Sequence, residues 1–224
     1  MLQVFSVSKT YSGGHQALDT IDLEIAKGDF AFLTGQSGSG KTTLLKIISG
    51  EENTTSGRVL FQGQCLTELH RNRWPSIKRK MGIISQDFKL LMHQSVSENI
   101  AIALEVINTP RRIIRRRVRD MLEQVKLNSF GHKLPSQLSA GQRQRVVIAR
   151  ALVNEPLIVL ADEPTGHLDP DEGKEIAKLI EDIHQRGATI LVATHDYQWP
   201  QRSGQRLVYL NQGRICEKSA LQRN

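Results

Sequence analysis

Apolar and polar positions change period along this chain, and the changes predict its elements. Leu2 to Val7 reads as a strand, the turn signal Ser12-Gly13-Gly14 follows, and Ile21 to Ile25 alternates apolar with polar residues. Ala31-Phe32-Leu33 is apolar without alternation, as in a strand buried on both faces. It runs into a glycine-rich turn and then a helix from Thr42 to Ser49. Arg58 to Gln62 and Met81 to Ser85 read as further strands. From about Asp87 to Leu152 the period is helical, with Ile100, Leu104, Val118, Met121, Leu122 and Val125 at its apolar positions. Strand and helix then alternate: Leu157 to Leu160, a helix from Asp171 to Arg186, and Thr189 to Val192. A hairpin closes the pattern, Arg206 to Leu210 and Arg214 to Lys218, joined by Asn211-Gln212-Gly213. The alternation predicts an α/β fold with a parallel core, and the helical middle predicts an inserted helical subdomain over about 87–152 of a single domain, 1–224.

Composition narrows the classes without choosing among them. With 39% hydrophobic and 24% charged residues over 224 positions, a disordered, collagenous or disulfide-stapled chain is excluded. No apolar run reaches the roughly 18 residues of a membrane-spanning helix. The amino terminus, Met1 to Phe5, lacks the basic region and apolar core of a signal peptide. A cytosolic chain that does not itself cross a bilayer is expected. Two cysteines, Cys65 and Cys216, are too few for a disulfide framework or zinc site. Aromatics at 5% argue against a base-stacking platform. The net charge of +7 admits nucleic acid, an anionic membrane surface or a polyanionic ligand such as a nucleotide. Much of it sits in Arg111, Arg112, Arg115, Arg116, Arg117 and Arg119, a run without an acid. A solvated helix face is the first expectation there, with contact to lipid headgroups or an acidic partner as the alternative.

Candidate chemistry begins at Gly35-Gln36-Ser37-Gly38-Ser39-Gly40-Lys41-Thr42, which fits the phosphate loop G-x-x-x-x-G-K-[ST]. Glycines let successive backbone N–H groups turn toward phosphate oxygens, and the following helix presents its positive end. Lys41 supplies charge to the β- and γ-phosphates, and the Thr42 hydroxyl is suited to Mg²⁺. The loop lies between a strand and an amphipathic helix, the context such a loop requires. A second element, Leu157 to Asp162, is an apolar strand ending in a carboxylate suited to Mg²⁺, with Glu163 next in line to reach an attacking water. Alone, that pair would read as a structural turn before Pro164-Thr165-Gly166.

Three further pieces separate the chain from kinases and small GTPases. Leu138-Ser139-Ala140-Gly141-Gln142 opens a helix about 20 residues before Asp162, a second anion site made of Ser139 and nearby N–H groups. One chain has no need of two such sites for one γ-phosphate; two chains facing head to tail do. Gln86 follows the strand Met81 to Ser85, where the core meets the helical region. His195 ends the strand Thr189 to Val192 and is expected at the γ-phosphate.

Together these residues resemble the ATP-binding subunits of ABC transporters, from Tyr11 to Gly213. The resemblance implies a P-loop NTPase of the ABC type: a RecA-like core, an antiparallel β-subdomain and the inserted helical subdomain. It implies Tyr11 as the aromatic on adenine and Gly35 to Thr43 as the phosphate loop. Ser139, Gly141 and Gln142 would be the signature that meets a partner's nucleotide. Thr42, Gln86 and Asp162 would hold Mg²⁺, and Glu163, Gln86 and His195 would form the catalytic set. The segment Gly166-His167-Leu168-Asp169 corresponds to the D-loop. ATP and Mg²⁺ are the implied cofactors, and a homodimer formed on ATP binding is the implied assembly. Phe30 to Gly35, Gln86-Asp87 with Leu90-Leu91-Met92, Asn99 to Ile102 and Ala161 to Thr165 look most like the FtsE-type cell-division ATPases. Their partner is a four-span FtsX-type permease that controls cell-wall hydrolases. That resemblance implies a peripheral protein at the cytoplasmic face of the cell membrane, with no direct binding of nucleic acid.

Three positions depart from the family pattern. Ala140 stands where glycine is usual, Ser85 where an aromatic often precedes the glutamine, and His167 where Asn or Ala is common. None removes a ligand. The lipoprotein-release and macrolide-export ATPases share much of the same text and remain open. From another class, a DNA-repair or chromosome-organising ATPase head would need long coiled-coil arms. The interval from Thr42 to Leu138 is only 96 residues and lacks sustained heptads.

Overall fold

The structure, a computed structural model, describes residues 1–216. In chain order it contains β1 (Leu2–Thr10), β2 (Gln16–Ile25), β3 (Phe30–Thr34), α1 (Lys41–Ile48), β4 (Ser56–Phe61), β5 (Gln64–Cys65) and α2 (Trp74–Lys78). Next come β6 (Met81–Ile84), α3 (Val96–Glu105), α4 (Arg111–Gln124), α5 (Ala140–Leu152), β7 (Ile158–Asp162) and α6 (Pro170–Gln185). The chain closes with β8 (Thr189–Thr194), α7 (Gln198–Ser203), β9 (Arg206–Asn211) and β10 (Arg214–Cys216). The expected last strand runs to Lys218; Glu217 and Lys218 lie outside the described residues. Two compact units emerge, Met1–Lys78 with the segment from Ala188 onward, and Arg79–Gly187.

In the first unit an antiparallel sheet in the order β2-β1-β4-β5 sets Leu2 opposite both Ile25 and Phe61. Leu2, Val4, Ile21, Leu23, Ile25, Val59 and Phe61 are buried, so alternation marks the covered face. β1 and β2 run longer than their alternation predicts. Register shifts at Val7 and Lys9 break the two-residue period before the pairing ends at Thr10 and Gln16. The same unit holds β8, β3 and β9 as parallel neighbours, with β10 antiparallel to β9. Every residue of β3 and β8 is buried, the pattern of strands covered on both faces. Trp199 of α7, 1% exposed, packs its edge on Phe32 at 5.0 Å between centroids, and Phe32 stacks on Phe30 at 4.8 Å.

The second unit pairs β6 with β7 in parallel, Met81 opposite Ile158 and Ile84 opposite Ala161. Helices α3, α4 and α5 pack together beside them. Helix α3 starts at a capping box in which Ser95 Oγ accepts from the Glu98 N–H and Glu98 accepts from the Ser95 N–H at 2.6 Å. Helix α4 buries Ile114, Val118 and Leu122 at four-residue spacing. Arg111, Arg112, Arg115, Arg116 and Arg119 are exposed, and half-buried Arg117 pairs with Glu155 at 3.3 Å. Five of the six arginines of the run thus stand on the exposed side of α4. Helix α6 begins with Pro170 at its first position and Asp169 as cap, accepting from the Asp171 and Glu172 N–H groups.

Two short helices and one short strand escape the sequence pattern. α2 and α7 span five and six residues, too few to repeat a 3.6-residue period, and β5 spans two.

Candidate functional site

The phosphate loop begins where β3 ends. β3 and β8 are in register from Phe30–Ile190 to Thr34–Thr194, so Gly35 and His195 leave adjacent parallel strands at the same end. Two-sided burial of these strands puts rigid elements behind both residues. Gly40 caps α1 in a left-handed conformation, φ 106°, and supplies no side chain to the helix start. A Cβ there would lie 2.5 Å from the Ala17 carbonyl oxygen, and one on Gly35 would collide with the Leu210 carbonyl. The first-turn N–H groups of α1 thus face a loop built around backbone rather than side chains.

Lys41 is buried, 6% exposed, and its Nζ donates to the carbonyls of Gly35 at 2.8 Å and Gln36 at 3.0 Å. The ammonium is folded into the arch of its own loop. Ser39 is 4% exposed, and its Oγ has no hydrogen-bond partner among the described residues. An orphaned hydroxyl in such a loop is what a phosphate oxygen would satisfy. Gln36, Ser37, Gly38 and Thr42 are exposed. Tyr11, the expected adenine contact, lies in the same unit. Its hydroxyl is 3.3 Å from Thr43 Oγ1, and Lys9 Nζ sits 4.9 Å from the ring centroid. His195 is exposed at the strand end.

In the second unit, the fully buried stretch of β7 runs into half-buried Asp162 and Glu163. Glu163 has φ 46°, a left-handed conformation that costs a non-glycine residue about 1 kcal/mol or more. A hydrogen bond from the Gly166 N–H to the Glu163 carbonyl at 3.1 Å closes the turn that holds it. The strained residue is the one expected to position water. Gln86 is exposed after β6, and Ser85 Oγ donates to the Asp87 carbonyl at 2.9 Å, bracing the turn. The amide nitrogen of Gln86 lies 3.4 Å from His167 Nε2, so one departure from the family pattern touches the glutamine expected in the catalytic set.

The segment after Gln86 is anchored to α5. Arg150 donates to the carbonyls of Lys89 at 2.8 Å and Phe88 at 3.0 Å, and burial lowers its pKa. Arg143 sits 5.2 Å from the Phe88 ring centroid and donates to the Leu138 carbonyl at 2.7 Å. Asn99, fully buried, donates to the carbonyls of Leu91, Gln94 and Ser95 and accepts from the Leu91 N–H. The signature caps α5: Ser139 Oγ accepts from the Gln142 N–H at 3.2 Å, and the Gln142 side chain accepts from the Ser139 N–H at 3.1 Å. Ala140 fits as the first helical residue, half-buried.

Sequence reasoning missed the anchors Arg143 and Arg150. It also missed Glu172, whose carboxylate accepts from Ser139 Oγ at 2.9 Å and from the Gly141 N–H at 3.0 Å. No local signal marks these contacts, because Phe88 and Lys89 lie far along the chain from Arg143 and Arg150, as Ser139 and Gly141 do from Glu172. Thr42, Gln86 and Asp162 are all oxygen donors, the ligand type Mg²⁺ prefers. Among the described residues no group of three His, Cys, Asp or Glu side chains can hold a metal by itself.

The ABC transporter family profile matches residues 18–166. The cell division ATP-binding protein FtsE of Bacillus subtilis is 41% identical over 215 residues, covering 96% of this chain and 94% of that protein. FtsE of Escherichia coli is 43% identical over 215 residues, covering 96% and 97%. FtsE of Mycobacterium tuberculosis is 43% identical over 216 residues, covering 96% and 94%. Among solved structures, the ATP-binding cassette MJ0796, a dimer in a post-hydrolysis state bound to ADP and Pi, superposes with a TM-score of 0.87. It is 36% identical and covers 97% of each chain. The fold is therefore the ABC ATPase cassette. With a family match across most of the sequence and relatives aligned over nearly all of it, the chain belongs to the ABC transporter family, as one of its ATP-binding and ATP-hydrolysing cassettes.

Proposed function

We propose that this cassette is the ATPase of an FtsEX-like membrane complex, coupling ATP-driven pairing of two copies to a permease that controls cell-wall hydrolysis during division. The observation that carries the reading is 41–43% identity to FtsE proteins over 96% of the chain. No helix among the described residues is long and apolar enough to cross a membrane.

In this reading Tyr11 packs against adenine, and the N–H groups and hydroxyls from Gly35 to Thr43 bind the phosphates. Lys41 leaves its carbonyl partners to neutralise the triphosphate. Thr42, Gln86 and Asp162 would hold Mg²⁺, which supplies charge to the β- and γ-phosphate oxygens when bound. Glu163 orients and polarises the attacking water, and His195 contacts the γ-phosphate. Ser139, Gly141 and Gln142 of one copy meet the nucleotide of the other. ATP closes the pair and hydrolysis reopens it. The segment after Gln86, tied by Arg150 to the signature helix, would carry that motion to the permease at the cytoplasmic face.

The test is membrane fractionation and tagged copurification, with and without the candidate four-span permease. Sedimentation with membranes only when the permease is present, and cell chaining on depletion, support the reading. Membrane association independent of the permease would refute recruitment by the partner. Lipoprotein mislocalisation without a division defect would move the chain to the lipoprotein-release type.

A further inference from the structure

We propose that Glu172 is a built-in competitor of the nucleotide phosphate at the signature loop, and that ATP-driven pairing of two copies must displace it. The inference rests on the proposed reading in which Ser139 and Gly141 face the nucleotide of the opposite copy.

The two oxygens of the Glu172 carboxylate take two donors of that loop. Ser139 Oγ donates to Oε1 at 2.9 Å, and the Gly141 N–H donates to Oε2 at 3.0 Å. These are the cap hydroxyl and a first-turn amide of α5, a helix of 13 residues whose amino end favours an anion. Ser139 and Gln142 also cap one another, the Ser139 hydroxyl accepting from the Gln142 N–H and the Gln142 side chain from the Ser139 N–H. A hydroxyl proton or an amide proton makes one good hydrogen bond at a time. A phosphate oxygen that takes Ser139 Oγ or the Gly141 N–H must therefore replace a carboxylate oxygen, and the two anions repel while they share the site.

Glycine at position 141 makes room for the plug. A Cβ there would lie 2.7 Å from Glu172 Cδ and 2.8 Å and 2.9 Å from its two oxygens. Glu172 is also held from behind. Its own N–H donates to the Asp169 cap at 2.9 Å, which places the residue in the first turn of α6. A displaced carboxylate has somewhere to go: Lys126 and Arg145 line the same pocket of 270 Å³ as Ser139, Gly141 and Glu172. Arg145 already binds one acid of α6, Glu175, at 2.6 Å. The signature is therefore a closed anion site in the single chain, and the ATP concentration that pairs two chains is set partly by this internal carboxylate.

The experiment is an ATP titration of pairing by light scattering in the Glu163→Gln background, where slow hydrolysis preserves the pair. Glu172→Gln, nearly isosteric and uncharged, and Glu172→Ala are compared with Glu172 intact. Binding of a fluorescent ATP analogue is measured at a dilution that keeps chains single. Both substitutions are expected to lower the ATP concentration for half-maximal pairing by about tenfold, and to leave single-chain ATP affinity within about twofold. A midpoint that stays put or rises in both variants overturns the proposal, since the carboxylate would then organise the signature rather than block it. A matching change in single-chain affinity also overturns it. Ser139→Arg separates this failure from that of the underlying reading. If Ser139→Arg abolishes pairing while the Glu172 variants do nothing, only the competitor role falls. If Ser139→Arg pairs normally, the assignment of the signature falls with it.

Discussion

Replacing Ser39 with alanine should move the two states of the phosphate loop in opposite directions. The Ser39 side chain is 4% exposed and its Oγ has no hydrogen-bond partner among the described residues. Its backbone is well tied, with the N–H donating to the Gln36 carbonyl at 3.1 Å and the carbonyl accepting from the Gly213 N–H at 3.1 Å. Alanine keeps both backbone bonds and removes only the hydroxyl. A buried unpaired hydroxyl costs about 1–3 kcal/mol, and the small void left behind offsets part of the gain. The nucleotide-free protein should therefore gain about 1 kcal/mol, a rise in Tm of roughly 2–4 °C for a chain of this length. With ATP the sign reverses. A hydroxyl donating to a phosphate contributes about 1.5–3 kcal/mol, so affinity should fall roughly ten- to a hundredfold. Thermal unfolding with and without ATP, beside calorimetric titration, measures both effects on one sample. A fall in the nucleotide-free Tm would mean the hydroxyl is already bonded there. Unchanged ATP affinity would mean it does not reach the phosphates.

Three further expectations follow from other parts of the molecule. Glu163→Gln should retain ATP binding while turnover falls by about 10² or more, as for loss of a general base; turnover at the native rate removes Glu163 from that role. Arg150→Met should keep the buried stem but lose both bonds to Phe88 and Lys89, costing about 2–3 kcal/mol and raising protease sensitivity after Gln86. Arg150→Lys should not restore protection, because an ammonium lacks the two-pronged guanidinium geometry. Acid should weaken the fold through Asp19, Glu52 and Glu98. Hydrogen bonds from Arg214, Lys9 and Ser95 respectively hold these carboxyls below their ordinary values of 3.8, 4.5 and 4.5. A depressed carboxyl stabilises the fold above its unfolded value and loses that contribution as pH falls through its folded one. Unfolding midpoints should drop below about pH 4.5, and Glu98→Gln should flatten that slope; an unchanged slope would show that the capping box carries no part of it.

Chain order alone made the family's motifs legible in this protein, for a physical reason. A phosphate loop works through consecutive N–H groups and the helix that follows, so Gly35 to Thr43 had to be contiguous and was legible as such. The same holds for β7 ending at Asp162 and Glu163, and for Ser139 to Gln142 opening α5. β3 and β8 were legible because unbroken apolar runs of strand length mark two-sided burial. The α/β class followed from their alternation with helices.

Tertiary structure decided what occupies and braces these pieces. Glu172 reaches Gly141 across 31 residues, Arg150 reaches Phe88 across 62, and Gln86 meets His167 across 81. Nothing in the spacing of those residues encodes the meetings, because side-chain partners of this kind are set by how α5, α6 and the loop after β6 pack. The lengths of β1 and β2 were hidden for a related reason: shifts in pairing register erase alternation while the hydrogen-bonded ladder continues. Motifs carried by the backbone of one short segment can be read from a sequence. The side chains that hold them closed or tie them together become visible only once the chain has folded.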